Sequence, residues 1–173
     1  MKKKVFLLCM VLFVTLNVFS MGKKSNKIQN FGTITNEDFG IKTLQGENLQ
    51  LFSSIHQLKE FDSKSGKQTY AHPLDDNYSW FNADFNDLEV TWVSLSGYVI
   101  HIITESPKYQ TRRGIGIGSN TDDILKAYDG NKAYINDNKI EYDLGSAEFE
   151  TVLALIFYLK ENKVYKIEIM EGN

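Results

Sequence analysis

Residues 113–130, RGIGIGSNTDDILKAYDG, carry the pattern that decides the fold. Ile115 and Ile117 alternate with Gly114, Gly116 and Gly118, a period of two that predicts a short strand. Ser119, Asn120, Thr121, Asp122 and Asp123 then supply N-cap oxygens and first-turn carboxylates that complement a helix dipole. Ile124, Leu125 and Tyr128 share one helical face, and Gly130 can end the helix in a left-handed cap. The stretch therefore predicts strand, tight turn, short helix and stop.

Working outward, three runs rich in branched and aromatic residues follow: Lys139 to Tyr142, Phe149 to Leu159 and Lys163 to Met170. Glu161-Asn162 is a compact link between the last two, so an antiparallel meander should follow the helix. The first half repeats that order. Gly40-Ile41 precedes helical spacing over Asn48 to Phe61, and Ser63 to Lys67 reads as a polar loop. Strand-like runs then cover Tyr78 to Phe85, Leu88 to Leu95 and Tyr98 to Thr104, with a hairpin turn at Ser96-Gly97. Placing Leu58 and Phe61 on Leu125 and Tyr128 shifts the chain by 67 residues, and placing Val99 on Val164 shifts it by 65. Two nearly equal shifts suggest an internal duplication. The expected fold is α+β: an antiparallel sheet with short helices packed on one face, in two tandem helix-plus-sheet repeats. The repeats would span residues 31–106 and 107–173 and share one globular unit.

Gly114-Ile115-Gly116-Ile117-Gly118-Ser119, followed by Ile124-Leu125-Lys126-Ala127-Tyr128, resembles a signature of small exported bacterial domains. That group includes the tandem-repeat beta-lactamase inhibitory proteins and the outer-membrane assembly lipoproteins of the BamE (SmpA/OmlA) type. The match covers Gly114 to Gly130, and Asp129 intervenes where the family has glycine directly after the aromatic. The resemblance implies a strand entering a helix packed on an antiparallel sheet, and a binding module whose open sheet face meets a protein partner. Likeness of fold transfers no particular ligand.

Lys2, Lys3 and Lys4 precede an apolar run from Val5 to Val18, the pattern of a signal peptide over residues 1–20. The run is shorter than the roughly 20 residues of a comfortable bilayer span, although an uncleaved anchor is the rival reading. Met21 stands where a lipidated cysteine would be needed, and the single cysteine, Cys9, lies inside the signal. Residues 21–30, MGKKSNKIQN, read as a flexible leader. Cleavage would remove three lysines and no acid, moving the formal charge from -3 to -6. An acidic domain is a poor fit to a phosphate backbone, so no nucleic acid partner is expected. No stable membrane insertion is expected after cleavage, and the localisation is exported, periplasmic or extracellular.

The chemistry-bearing residues form no recognisable catalytic or metal pattern. His56, His72 and His101 stand in no ligand spacing to one another, and no thiolate is available to the mature chain. The run Asn82, Asp84, Asn86, Asp87 and Glu89 echoes a calcium loop, but Asp87 occupies the glycine position and Val93 the position of the closing Glu. Gly114 to Gly118 lacks the lysine of a phosphate-binding loop, and no G-x-S-x-G elbow is present. No catalytic residue, no metal and no cofactor is therefore assigned, and the chain reads as non-enzymatic.

Both faces of Val152 to Leu159 are apolar, so one face can meet the helices while the other needs a cover. Trp80, Trp92, Tyr142 and Tyr158 are the candidate anchors for a protein partner on that second face. Core packing of these rings is the competing expectation. An envelope hydrolase with a site assembled only in three dimensions, or a structural envelope component, are the alternative functions.

Overall fold

A computed structural model of the chain describes residues 27–65, 72–73, 80–85, 87–146 and 151–172. The expected signal peptide and residues 21–26 lie outside the described residues.

In chain order the elements are β1 (Gly40–Thr43), β2 (Asn48–Gln50), α1 (Ile55–Ser65), β3 (His72–Pro73), β4 (Trp80–Phe85), β5 (Leu88–Val93) and β6 (Val99–Thr104). They continue with β7 (Tyr109–Thr111), α2 (Thr121–Ala127), β8 (Tyr134–Asn136), β9 (Lys139–Ser146), β10 (Thr151–Lys160) and β11 (Lys163–Gly172). The α+β fold is as expected, with an antiparallel sheet carrying two short helices.

Helix α2 forms where its caps allow. Asn120 Oδ1 accepts from the Asp123 amide at 2.9 Å and Asp123 Oδ2 accepts from the Asn120 amide at 3.3 Å, a reciprocal capping box. Ile124, Ala127 and Tyr128 are buried, whereas Leu125 is exposed. The preceding glycine-rich stretch is a turn rather than the expected strand. It forms no strand: its pairing is an isolated bridge between Gly116 and Gln110, the Thr111 amide donating to the Ile115 carbonyl at 2.7 Å, and the Gly118 amide donating to the Val164 carbonyl at 2.8 Å. The cause is local: Gly114 and Gly118 have φ of 87° and 88°, which turns the chain out of an extended path. A Cβ at Gly114 would lie 2.9 Å from the Lys27 carbonyl oxygen, so that position has no room for another residue.

The first helix starts later than the spacing suggested and runs on through Ser65, into the stretch expected as a polar loop. Asn48–Gln50 pairs with β1, and α1 begins only at Ile55. Phe52 has φ of 64°, and Ser54 with Gln57 forms the cap: the Ser54 amide donates to Gln57 Oε1 at 2.8 Å and the Gln57 amide to Ser54 Oγ at 3.3 Å. The folded part also starts earlier than Phe31. Ile28 packs against the core and the Gln29 amide donates to the Arg113 carbonyl at 3.1 Å.

Eight strands form the main sheet in the order β3-β4-β5-β6-β11-β10-β9-β8, and β2-β1-β7 form a small second one. The order is palindromic: the last strand of each half, β6 and β11, pair antiparallel at the centre, with Ile103 opposite Glu168. Each half also holds its helix start in the same way. The amides of Phe52 and Gly118 donate to the carbonyls of Val99 and Val164, at 2.7 and 2.8 Å. Those of Ile55 and Thr121 donate to Gly97 and Asn162, at 2.7 and 3.2 Å. Isolated bridges Ser54 to Tyr98 and Asn120 to Lys163 complete the set. This correspondence places buried Leu58 on buried Ile124, one residue from the alignment on Leu125 that the sequence suggested.

One face of the main sheet carries the core. Leu88, Val90, Ile102, Ile140, Tyr142, Leu155, Phe157, Ile167 and Ile169 meet Leu58 and Phe61 of α1, Ile124 and Ala127 of α2, and Ile41, Leu49 and Tyr109 of the small sheet in one cluster. Burial of this apolar surface is the main force holding the layers together.

Candidate functional site: the outer face of the main sheet

Residues alternate with the core positions along each strand, so their side chains lie on the opposite, outer face. Directly paired residues fall in rows across the strands. One row runs from Asp84 through Glu89, Ile103, Glu168 and Ile156 to Glu141. Ala154 and Ile156 are buried on this face yet lie outside the core cluster, so longer neighbouring side chains shield them.

Glu168 is the hub of the face, at the centre of the sheet. His101 Nε2 lies 2.8 Å from Glu168 Oε1, Tyr158 Oη donates to Oε2 at 2.7 Å and Lys166 Nζ to Oε2 at 3.1 Å. Lys166 Nζ also sits 3.8 Å from the centre of the Tyr158 ring, a cation–π contact. Burial works to push the Glu168 carboxyl up, but the hydrogen bonds from Tyr158, His101 and Lys166 outweigh it and hold the group below the usual carboxylate range. Burial, and then the bond to Glu168, push the Tyr158 hydroxyl up to about 12. Saturated by three donors, Glu168 orders the side chains around it and has little capacity left to take up a proton.

Toward β9, Lys139 Nζ bonds Glu141 Oε2 at 2.6 Å. Asp143, two residues on, has a buried Oδ1 that accepts no hydrogen bond among the described residues. Burial, reinforced by Glu141, raises its carboxyl above the ordinary value. Toward β4, Asn82 Nδ2 donates to Glu89 Oε1 at 2.8 Å, and Asp84 has no ion-pair partner among the described residues.

The four aromatic candidates separate into two groups. Trp80, 47% exposed, lies on the outer face. Tyr158 lies half-buried at its centre. Trp92 is 9% exposed and stacks on Phe81 at 5.7 Å, and Tyr142 is 1% exposed and stacks on Tyr128 at 4.7 Å. Those two rings complete the core and are not available to a partner. Tyr165, which the sequence pattern did not single out, is 44% exposed with its ring 6.3 Å from that of Tyr158. It reaches this position because the β10–β11 register shifts between Tyr158 and Leu159, leaving Tyr165 without a paired residue. The His101–Glu168 contact depends on the β6–β11 register, which joins residues 67 apart and has no local signal.

Among the described residues, no group of three or more His, Cys, Asp and Glu side chains is placed to hold a metal ion. Among them, too, no helix is long and apolar enough to cross a membrane. Of the residues that echo a calcium loop, Asn82 and Asp84 lie on β4 and Glu89 on β5, in antiparallel register with Asp84 opposite Glu89. Comparisons with protein-family models, with curated proteins and with solved structures returned no match.

Proposed function

We propose that the chain is an exported, non-enzymatic binding module that docks a partner protein on the outer face of its main sheet. The observation that carries this reading is the combination on one face of exposed Trp80 and Tyr165 with half-buried Tyr158, ordered by the Glu168 network. A ring held in place as Tyr158 is loses little conformational entropy on binding, and aromatic side chains are the usual anchors of protein interfaces. Export is supported by Lys2 to Lys4 and the apolar run from Val5 to Val18.

The same proposal takes the two halves as a tandem duplication. Support comes from the palindromic strand order and from the matching bonds that tie Phe52 and Gly118 to their hairpins. On this reading the resemblance to tandem-repeat inhibitory proteins concerns architecture and the use of a sheet face, and carries over no target.

The test compares three proteins, each shown by circular dichroism to be folded: the native chain, a Trp80→Ala, Tyr158→Ala variant, and a Leu125→Ala control on the helical side. Each is cross-linked to envelope and medium fractions of the source cells. A protein captured by the native chain and the control but lost by the double variant is the expected outcome. Equal capture by all three, or none, rejects the docking face.

A further inference from the structure

The charge on the outer face identifies the chemistry of the partner, and this inference rests on the docking reading above. Across the strands, carboxylate and aliphatic residues alternate: Glu89 on β5, Ile103 on β6, Glu168 on β11, Ile156 on β10 and Glu141 on β9. Strands lie about 4.8 Å apart, so the carboxylates recur roughly every 10 Å. Glu168 in the middle is already neutralised by Lys166 and held by His101. Negative charge is therefore left at the two ends of the row.

At one end stand Asp84 and Glu89, directly opposite each other and without an ion-pair partner among the described residues. They border a shallow cleft of about 500 Å³ whose lining also includes Glu105 and Asp87, the latter paired with Lys108 at 2.8 Å. At the other end stand Glu141 and Asp143, and among the described residues Lys139 is the one cation bonded to the pair, at Glu141. Like charges this close are unfavourable in the free protein. At Asp143 burial first, and then Glu141, raise the carboxyl above its ordinary value, and its Oδ1 accepts no hydrogen bond among the described residues. A group kept in an unfavourable state on an exposed face is a common mark of a functional surface.

The geometry points to a basic segment of a partner protein as the occupant, laid across the strands with cationic side chains at both ends and apolar residues between. Its arginines or lysines would reach Asp84 with Glu89 and Glu141 with Asp143, about 20 Å apart across four strand intervals. The apolar middle would cover Ile103 and the Tyr158 ring. A second copy of this chain is a poor occupant, because its own outer face would bring the same acidic ends against these.

The probe is a synthetic peptide of about nine residues, extended enough to span this distance, with arginine pairs at both ends and alternating leucine and serine between. Twins carry glutamine or glutamate in place of arginine. Binding to the 15N-labelled native chain is followed by amide chemical shifts at about 0.15 M salt, where nonspecific attraction is screened. The arginine peptide is expected to move amides of β5, β6, β9, β10 and β11. Its affinity should fall roughly five-fold in Glu141→Gln, Asp143→Asn and by a similar factor in Asp84→Asn, Glu89→Gln, as for the loss of surface charge pairs. Asp122→Asn, Asp129→Asn, on the helical side, should leave it unchanged.

Shifts spread over the whole surface, no binding, or affinity equal in all variants overturns the basic-partner inference. If the glutamine twin binds the same face as tightly, the docking face stands and only its charge selectivity is rejected. Failure of the docking reading itself would appear separately, in the cross-linking comparison of Trp80→Ala, Tyr158→Ala with the native chain.

Discussion

Asp143 and Glu168 occupy the same face of the same sheet, yet their environments push them in opposite directions. Glu168 has three donors and sits below the usual carboxylate range; Asp143 has an orphaned oxygen and a carboxylate neighbour and sits above it. A carboxyl whose folded pKa is raised adds stability below its unfolded pKa, near 3.9, and that contribution is lost as pH rises through the folded value. At neutral pH the fold therefore carries an ionised Asp143 at a cost. Asp143→Asn should raise stability at pH 7 by roughly 0.3 kcal/mol, a figure kept small because the group is partly solvated. The gain should vanish near pH 3, where the native carboxyl is neutral as well. Urea denaturation at the two pH values checks this, and a variant less stable at pH 7 would show that Asp143 has a favourable partner. The same substitution should weaken the basic probe, so stability and binding are set against each other at this residue.

At the scale of elements, the β10–β11 hairpin turns on Glu161 and Asn162, with φ of 52° and 59°. Two consecutive left-handed residues in a tight hairpin favour the pair Asn-Gly, and glutamate is a poor choice for the first position. Glu161→Asn with Asn162→Gly should stabilise the protein by about 1 kcal/mol, because glycine relieves strain and the Thr121 bond to residue 162 uses only backbone atoms. A higher midpoint in thermal unfolding is the expected reading; a lower one would mean that the native side chains stabilise the turn. This hairpin was legible in the sequence, as were β4 to β6 and α2, because alternation, caps and turn residues all act locally. β1 with β2 was not: Asn48–Gln50 extends along Gly40–Ile41, while its Leu51, Ile55 and Leu58 spacing also fits a helix. Nor was the glycine-rich turn, where alternation imitated a strand that positive φ at Gly114 and Gly118 forbids. For the outer face, the sequence supplied the aromatic composition. Which rings were buried depended on register, and Trp92 and Tyr142 fell on the core side.

At the scale of the whole molecule, the two halves interlock rather than stand side by side. β1 of the first half pairs with β7 of the second, and Phe61 of α1 packs on Tyr109. Arg113 makes the deepest connection. Its Nε and Nη2 bond the Asp38 carboxylate at 2.7 and 2.9 Å, its Nη1 reaches the carbonyls of Gly32 and Ala127, and its guanidinium lies 4.7 Å from the centre of the Tyr128 ring. Both partners of the ion pair are 0% exposed, so removing one leaves the other as a buried, uncompensated charge. Arg113→Met should cost about 3–5 kcal/mol, a large share of the stability of a domain this size. Because the pair fastens the first half to the helix of the second, that loss should fall on both halves together. Far-ultraviolet dichroism and near-ultraviolet signals from Trp80 and Trp92 should then follow one coincident transition in the native chain, and a single transition displaced to lower denaturant in the variant. If the halves were independent units joined only at the β6–β11 seam, the tryptophan signals of the first half would separate from the backbone signal. A resolved second transition in Arg113→Met would therefore replace one cooperative fold with two docked ones.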